Sequence, residues 1–389
     1  MKLQEKILFH KPITTSREFF KDGVGIKCVH YGDIYKNYSG KTIPSSCIIN
    51  TFANAVASEK ILCCDSIIVP DVTETVSDWG HFTYIKYDGT PYINGTHAVA
   101  LTCQSEDELK YIFRYLSANY NRKRLQTLLN GSTVFQISIK DFGRFGLEKY
   151  HESTAEQSHI VDILESIDEK IENNQKEIVF LKDFLYKKYH LLVTAIDTYI
   201  GKIGDLASVK SGYAFKSSMW TDSGIGVIKI KNITETGFMD FSDCSYIDDT
   251  DTIQKASSFC VYGGELVIAM TGATIGKMAL VPNLKSFCLV NQRVGLFYEA
   301  NQKECSPYLY ASMLRQDVVN EIITRGGGSA QPNISGQSIE DISIPLLSKQ
   351  KIAEFNNEHK HTLLKIRHLL ETNEKLHELK QLNLKKFFG

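Results

Sequence analysis

Apolar residues recur at alternating steps of four and three along a stretch from Glu148 to Ile200 that contains neither glycine nor proline. A mean period of 3.5 keeps one apolar stripe facing a partner helix, which predicts a coiled coil. About 45 helical residues span roughly 70 Å, more than the helix of one ordinary domain. The seam positions are Ile160, Leu164, Ile167, Ile171, Asn174, Ile178, Leu181 and Leu185.

A second helical stripe follows Pro345, after which no glycine or proline occurs before Gly389. Asn174 recurs there as Asn373, at an offset of 199 residues (373 − 174 = 199), and Ile167 and Ile171 recur at the same offset. The second helix is therefore predicted to be a copy of the first and its partner. His377 and Lys380 take seam positions, so less regular pairing is expected there. The stripe consists of Ile352, Phe355, Leu363, Ile366, Leu370, Asn373 and Leu384.

The segments that precede the two helices also correspond to each other. Gly131-Ser132 leads to Ile137-Ser138, as Gly328-Ser329 leads to Ile334-Ser335, at an offset of 197 (328 − 131 = 197). The chain is therefore predicted to repeat a globular domain and a helix. The expected boundaries are 1–150 for the first domain, 151–200 for the central helix, 201–347 for the second domain and 348–389 for the C-terminal helix.

Both predicted domains contain short β-branched runs closed by turn residues, such as Ile67 to Val69 and Leu266 to Met270. One helix is expected before each Gly-Ser turn, over Glu106 to Leu129 and Pro307 to Thr324. The second long helix can pair with the first only by running back toward the first domain. The predicted fold class is α+β, with two similar, mainly antiparallel domains joined by a long antiparallel coiled-coil helix pair in pseudo-twofold symmetry.

Composition narrows the function without pointing to a ligand. The 44 basic and 45 acidic residues nearly cancel, so a bound polyanion would need a local basic patch. Arg114, Arg122, Lys123 and Arg124 form one candidate, and the alternative for such a run is a solvated helix face. Nine cysteines without metal-ligand spacing argue against zinc and fit reduced thiols in the cytoplasm. No apolar run of about 18 residues or signal peptide is present.

Motifs for catalysis are missing from the sequence. The run from Gly272 to Met278 has three residues between its glycines and methionine after lysine, so it does not match a phosphate-binding P-loop. Pro70-Asp71 could begin a nuclease motif, but Tyr84 stands where an acidic metal ligand is required. His81 and His97 are interpreted as surface or packing residues. The chain is predicted to be non-catalytic on its own.

Polar loops rich in glycine are the remaining candidates for function. They span 211–217, 271–277, 291–293 and 325–333. The alternative for any one of them is an ordinary strand connection, but four together favour a functional surface. Their small residues permit close approach, while lysine, arginine, asparagine and glutamine reach phosphates and base edges. The predicted DNA contacts are Tyr213, Phe215, Lys216, Thr271, Thr274, Lys277, Asn291, Gln292, Arg293, Arg325, Gln331 and Asn333.

The sequence of these loops, followed by a coiled-coil helix, resembles the specificity subunit of type I restriction-modification systems. The runs that carry the resemblance are Ser-Gly-Tyr-Ala-Phe-Lys-Ser, Ile-Ala-Met-Thr-Gly-Ala-Thr-Ile-Gly-Lys, Val-Asn-Gln-Arg-Val-Gly and Gln-Pro-Asn-Ile-Ser. The resemblance covers nearly the whole chain. The first domain departs from it, with Asn94-Gly-Thr-His97 in place of Asn291-Gln-Arg-Val294. The contacts expected there are Thr14, Thr15, Arg17, His30, Tyr31, Thr73, Thr75, Asn94, Thr96 and His97.

The resemblance implies a bacterial defence protein whose two target-recognition domains each read one half of a bipartite sequence in double-stranded DNA. The helical pair would set the gap, and modification (methyltransferase) and restriction (translocase and endonuclease) subunits would be recruited. It implies no cofactor in this chain, since S-adenosylmethionine, ATP and Mg belong to the partner subunits. Two alternatives stay open: a coiled-coil scaffold without a DNA role, and a cryptic DNA-modifying enzyme.

Overall fold

The structure is a computed structural model that describes residues 1–15, 23, 25–234, 237, 239–241, 244–300, 302–327 and 332–389. It forms two compact units. The first unit contains Met1–Glu169 and His377–Gly389, and the second contains Lys170–Leu376. Each long helix therefore contributes residues to both units. No helix in the described ranges is long and apolar enough to cross a lipid bilayer.

The first unit combines short strands with helices. Its strands are β1 (Leu8–His10), β2 (Ile26–Val29), β3 (Thr42–Pro44), β4 (Thr51–Phe52), β5 (Ser66–Pro70), β6 (Val72–Thr73), β7 (Thr83–Lys86), β8 (Tyr92–Asn94), β9 (Ala98–Thr102) and β10 (Phe135–Gln136). Its helices are α1 (Tyr31–Asp33), α2 (Glu106–Ser117), α3 (Asn119–Gln126), α4 (Ile139–Gly143) and the start of α5 (Thr154–Ala195). The strands form sheets of order β1-β9-β5-β7-β3, β4-β2-β8 and β10-β6.

The second unit has the same kinds of elements. Its strands are β11 (Tyr199–Lys202), β12 (Ala207–Ser211), β13 (Ile225–Ile228), β14 (Ser245–Ile247), β15 (Cys260–Val261), β16 (Leu266–Ala269), β17 (Met278–Leu280), β18 (Cys288–Val290), β19 (Val294–Glu299) and β20 (Ser343–Leu346). Its helices are α6 (Thr250–Lys255), α7 (Pro307–Met313), α8 (Gln316–Gly326), α9 (Gly336–Glu340) and most of α10 (Lys349–Phe388). The sheets have the order β12-β19-β16-β17, β14-β13-β18-β15 and β11-β20.

The internal repeat predicted from the sequence is present in the topology. The order β1-β9-β5-β7 in the first unit corresponds to β12-β19-β16-β17 in the second, and all of these neighbours are antiparallel. Each unit also pairs an equivalent couple of strands in parallel, β2 with β8 and β13 with β18. The predicted α+β class with two similar, mainly antiparallel domains is therefore confirmed.

The long helices pair antiparallel within the second unit. Glu177 of α5 forms an ion pair with Lys365 of α10 at 3.4 Å. Farther along α5, the ring of Phe184 lies 6.0 Å from that of His359, so the contact partner moves backward as α5 proceeds. At the repeated seam position, Asn174 Nδ2 donates to Asn373 Oδ1 at 2.7 Å. Both amides are buried, with exposures of 1% and 5%.

In the first unit a charged cluster holds the other ends of these helices. Asp168 of α5 accepts hydrogen bonds from Arg114 of α2 at 2.6 Å and from Lys380 of α10 at 2.5 Å. Burial lowers the pKa of Lys380, whereas the carboxylate of Asp168 opposes that shift. The long helices therefore stay paired at Lys380, because the oppositely charged side chain of Asp168 faces it from α5. Phe388 completes the contact by packing against Tyr111, with ring centroids 5.5 Å apart.

The single helices expected over 106–129 and 307–324 are each two helices, so that prediction is wrong in detail. The breaks fall at Ala118 and Arg315, which have extended ψ angles of 135° and 128°. After the first break, the buried Asn121 side chain donates to the carbonyl of Tyr115 at 3.0 Å. Short polar side chains that bond the backbone in this way compete with continuous helix, and the pattern of apolar residues alone does not reveal the competition.

Candidate nucleic-acid interface

The predicted loops of the second unit meet at one edge of its β12-β19-β16-β17 sheet. Because β19 is antiparallel to both β12 and β16, its beginning lies beside their ends. The backbone N–H of Tyr213 donates to Val290 O at 2.8 Å, and that of Gln292 donates to Tyr213 O at 2.9 Å. These bonds connect the loop 211–217 to the loop 291–293.

Further backbone bonds connect the other two loops to this edge. Met270 N–H donates to Arg293 O at 3.0 Å, and Gly272 N–H donates to Pro332 O at 2.9 Å. Asn333 in turn forms a β-bridge with Thr271. The first and last of these four loops lie more than 100 residues apart in the sequence, and backbone hydrogen bonds join all four at one end of the sheet. We call the described residues of 211–217, 271–277, 291–293, 325–327 and 332–333 the second loop cluster.

Solvent reaches part of the second loop cluster. Arg325 is exposed, but its guanidinium already donates to Glu321 Oε1 at 2.8 Å and to Ser338 O at 2.9 Å. Gln331 lies outside the described residues. The other exposed predicted contacts are Lys216, Gln292, Arg293 and Asn333, and the half-buried ones are Tyr213, Thr271, Thr274 and Lys277.

Two predicted contacts point inward and support the loops. Phe215 is 8% exposed and packs in a small core with Val227 and Leu289. Asn291 is also 8% exposed, and its Oδ1 accepts from the backbone N–H of Arg293 at 3.2 Å. Asn291 therefore fixes the backbone from which the Arg293 side chain projects. An aromatic neighbour that sequence reasoning missed, Trp220, lies 5.6 Å from Phe215 between ring centroids.

The first unit places an equivalent set of residues at the matching sheet edge. His97 precedes β9 in a left-handed backbone conformation, with φ of 59°. Its Nδ1 lies 2.8 Å from Oδ1 of Asp71, which follows β5. The ring of Tyr31 packs edge-on against His97 at 5.6 Å and contacts the ring of His30 at 4.6 Å. Sequence reasoning assigned Asp71 no binding role, and its position after a strand was the available signal.

Several predicted contacts of the first unit are engaged within the fold. Thr15 and Thr96 bond to each other, with Thr15 N–H donating to Thr96 Oγ1 at 2.7 Å. The buried amide of Asn94 donates to His10 O at 3.0 Å and to Ala98 O at 2.8 Å. Thr73 is buried and its hydroxyl donates to the carbonyl of Thr75 at 2.9 Å. Thr14 and Thr75 are exposed, and Arg17 lies outside the described residues.

The two motifs considered for catalysis form other structures. The run that begins at Gly272 leads into strand β17, whereas a P-loop leads into a helix. The carboxylate of Asp71 contacts His97 rather than other acidic side chains. Across the described ranges, no group of three or more His, Cys, Asp or Glu residues is arranged to hold a metal ion.

The four residues of the candidate basic patch do not share one environment. Arg114 is buried and bonds Asp168, and Arg124 bonds Glu148 at 2.6 Å. Lys123 is exposed. Arg122 instead contacts His81, with Nη1 2.5 Å from His81 Nε2. The run predicted as a single patch is thus divided among several faces of helices α2 and α3.

Comparisons with known proteins agree with this architecture. The family model for the type I restriction modification DNA specificity domain matches residues 32–182 and 197–380, so it covers most of the chain in two copies. The chain is similar to the type I restriction enzyme MjaVIII specificity subunit of Methanocaldococcus jannaschii, with 25% identity over 171 residues. That match covers 43% of this chain and 40% of the relative.

Two further proteins extend the comparison. The type I restriction enzyme EcoAI specificity subunit of Escherichia coli is 25% identical over 177 residues, which cover 44% of this chain and 30% of that protein. The crystal structure of the type I restriction-modification S subunit from M. genitalium has a TM-score of 0.54 at 15% identity and shares the fold, covering 100% of this chain and 95% of that one. Because the family model matches both repeats with their helices, this chain belongs to the family of type I restriction-modification DNA specificity proteins.

Proposed function

We propose that this chain is the DNA-reading subunit of a type I restriction-modification complex. Each unit would read one half of a bipartite target in double-stranded DNA. The observation that carries the proposal is the equivalent placement of loops at the same sheet edge of two repeated units, in a family defined by a DNA specificity domain. A scaffold protein needs no such matching pair of polar, solvent-facing clusters.

In the second unit, Arg293 and Gln292 are the proposed base-reading residues. Both side chains are exposed, and the backbone of Arg293 is bonded through its N–H to Asn291 Oδ1 and through its carbonyl to Met270. A guanidinium presented from a fixed backbone suits bidentate bonding to guanine, and a glutamine amide suits adenine. Lys216 is also exposed and is proposed to contact phosphate, which orients the protein without reading sequence.

The first unit is proposed to read a different half-site, because its exposed groups differ. His97 and the Tyr31 hydroxyl replace the guanidinium and amide of the second unit, while Thr14 and Thr75 offer hydroxyl groups. Thr15, Thr96 and Asn94 are proposed to shape this surface from within, since their bonds lie inside the fold. Two units of equivalent topology can therefore specify different bases by exchanging side chains at strand ends.

Helices α5 and α10 are proposed to set the gap between the half-sites. Major-groove positions on one face of B-DNA recur about every 34 Å, so a stiff spacer restricts the separations that two readers can share. We further propose that modification and restriction subunits bind this chain and supply adenine methylation with S-adenosylmethionine and cleavage with ATP and Mg. No step of that chemistry is assigned to residues of this chain.

Selection from a random duplex library by the purified full-length chain tests the proposal. Two short conserved blocks separated by a fixed number of unconserved base pairs are expected. A single uninterrupted block would contradict the two-reader architecture, and no enrichment would favour the scaffold alternative. Incubation of the same protein with DNA, Mg and S-adenosylmethionine tests the enzyme alternative, and neither cleavage nor methyl transfer is expected.

A further inference from the structure

A half-buried arginine of the first unit, Arg122, has no acidic partner among the residues that the structure describes. Arg122 projects from α3 toward the loop before β7, where its Nη1 lies 2.5 Å from His81 Nε2 and 3.3 Å from His81 Nδ1. Its Nη2 lies 3.4 Å from Asn119 Oδ1, and its Nε is buried without a hydrogen-bond partner in the described part of the chain. Arg114 and Arg124 form ion pairs with Asp168 and Glu148, whereas none is found for Arg122 among the described residues.

The contact with His81 orients this charge but does not neutralise it. Burial lowers the pKa of His81 and the neighbouring Arg122 lowers it further, whereas the carboxylate of Asp78 opposes the shift. A neutral imidazole accepts the hydrogen bond that a guanidinium donates, and a guanidinium stays charged in proteins. Since a half-buried cation is costly unless it is paired, an anion is the ligand that this arrangement favours.

The fold brings this side chain to the sheet edge that carries the first set of candidate contacts. Gly80 has φ of 102°, and a Cβ there would lie 2.4 Å from Arg122 Cγ, so the glycine permits the approach of α3. The indole N–H of the preceding Trp79 donates to Pro70 O at 2.7 Å. Pro70 ends β5 directly before Asp71, the partner of His97. The start of β7, where Arg122 contacts His81, therefore lies at the same edge of the sheet as the end of β5 and the start of β9, which carry Asp71 and His97.

The second unit also has a basic residue, Lys277, directly before the strand that corresponds to β7. Gly276, with φ of 83°, precedes β17 as Gly80 precedes β7, and it packs against Ile323 of α8. Lys277 is the single residue between Gly276 and β17, whereas His81 and Phe82 lie between Gly80 and β7. Both repeats thus have a basic residue near the start of this strand, on the loop in the second unit and on helix α3 in the first.

We propose that Arg122, oriented by His81, binds a phosphodiester group of the DNA backbone next to the half-site read by the first unit. The inference rests on the proposed function, because DNA supplies the anion. A guanidinium forms strong, charge-assisted hydrogen bonds to phosphate oxygens. Such a contact fixes the position of the protein on the duplex and carries no base information.

Salt dependence of DNA binding tests this contact. Arg122→Gln is expected to weaken binding by about 10-fold at roughly 0.1 M salt and to reduce the slope of log K against log salt by about 0.9. The loss should be equal for all duplexes that contain the selected sequence and for mismatched ones. Lys123→Gln is the matched control, because it removes the same charge from the exposed neighbour on the same helix. Equal losses for the two variants would overturn the proposal.

A methylphosphonate scan locates the contact. The wild-type chain should lose affinity when one particular linkage near the first half-site is made neutral, and Arg122→Gln should be insensitive at that linkage. Arg122→Met keeps an apolar stem against Gly80 and should retain the wild-type melting temperature while it shows the same insensitivity. If the wild-type chain selects no sequence, the proposed function fails; if it selects normally and Arg122→Gln keeps the same salt slope and linkage profile, this inference alone fails.

Discussion

The buried asparagine pair between α5 and α10 predicts that single substitutions destabilise the protein and that the double substitution does not, because the two amides bond to each other. Asn174→Leu and Asn373→Leu each leave one amide buried without its 2.7 Å partner. An unsatisfied buried polar group costs about 1 to 3 kcal/mol, so each single variant should be destabilised by about that amount. The double variant removes both amides from an apolar seam, and it should be as stable as the wild type or more stable.

Urea unfolding of the full-length variants, followed by circular dichroism and by the fluorescence of Trp79 and Trp220, measures these changes. With a slope of about 3 kcal/mol per molar urea, a loss of about 2 kcal/mol lowers the midpoint by about 0.7 M. Both asparagines lie in the second unit, so the transition reported by Trp220 should shift most. The double variant should return to the wild-type midpoint or exceed it.

Additive losses in the double variant would refute the reasoning, because they would mean that the two amides do not stabilise each other. Ile171→Leu combined with Leu370→Ile is a matched control at apolar seam positions of the same helices. These volume-conserving changes should cost less than about 1.5 kcal/mol each and should add. The double asparagine variant is also expected to select DNA with a broader range of gaps, since a buried asparagine pair restricts register.

Three further predictions test the reading surface, the charged cluster and the spacer. Arg293→Ala should weaken specific binding by about 1 to 3 kcal/mol and relax one half of the selected sequence while the melting temperature is kept; unchanged selection would contradict it. Asp168→Ala should cost about 3 kcal/mol in thermal unfolding because Arg114 loses its acid, whereas Lys380→Met should cost less, and equal costs would argue against the cluster. Four residues inserted after both Asn174 and Asn373 add about 6 Å and should change the selected gap by roughly two base pairs, whereas two residues, which rotate the seam by about 200°, should abolish selection. A four-residue variant that selects the original gap would show that the helices do not set it.

The sequence by itself determined the elements whose signal is local or repeated. Helix α10 spans Lys349–Phe388, as its apolar stripe predicted, and α5 spans Thr154–Ala195 within the stretch free of glycine and proline. Periodicity is visible in any continuous run of residues, so these helices needed no knowledge of their partners. The offset between the repeats likewise predicted that the two asparagines are equivalent, and their hydrogen bond follows from antiparallel pairing.

Only the tertiary structure decided which polar residues face solvent and which complete the fold. Phe215 and Asn94 looked like contacts of the same kind as Arg293, but their partners inside the fold engage them. Conversely, the sequence shows Arg122 only as one member of a basic run. In the structure Gly80 permits the close approach of α3, which places Arg122 against His81. The physical reason is that burial and pairing depend on residues far away in the chain, and the order of residues along one segment does not contain their positions.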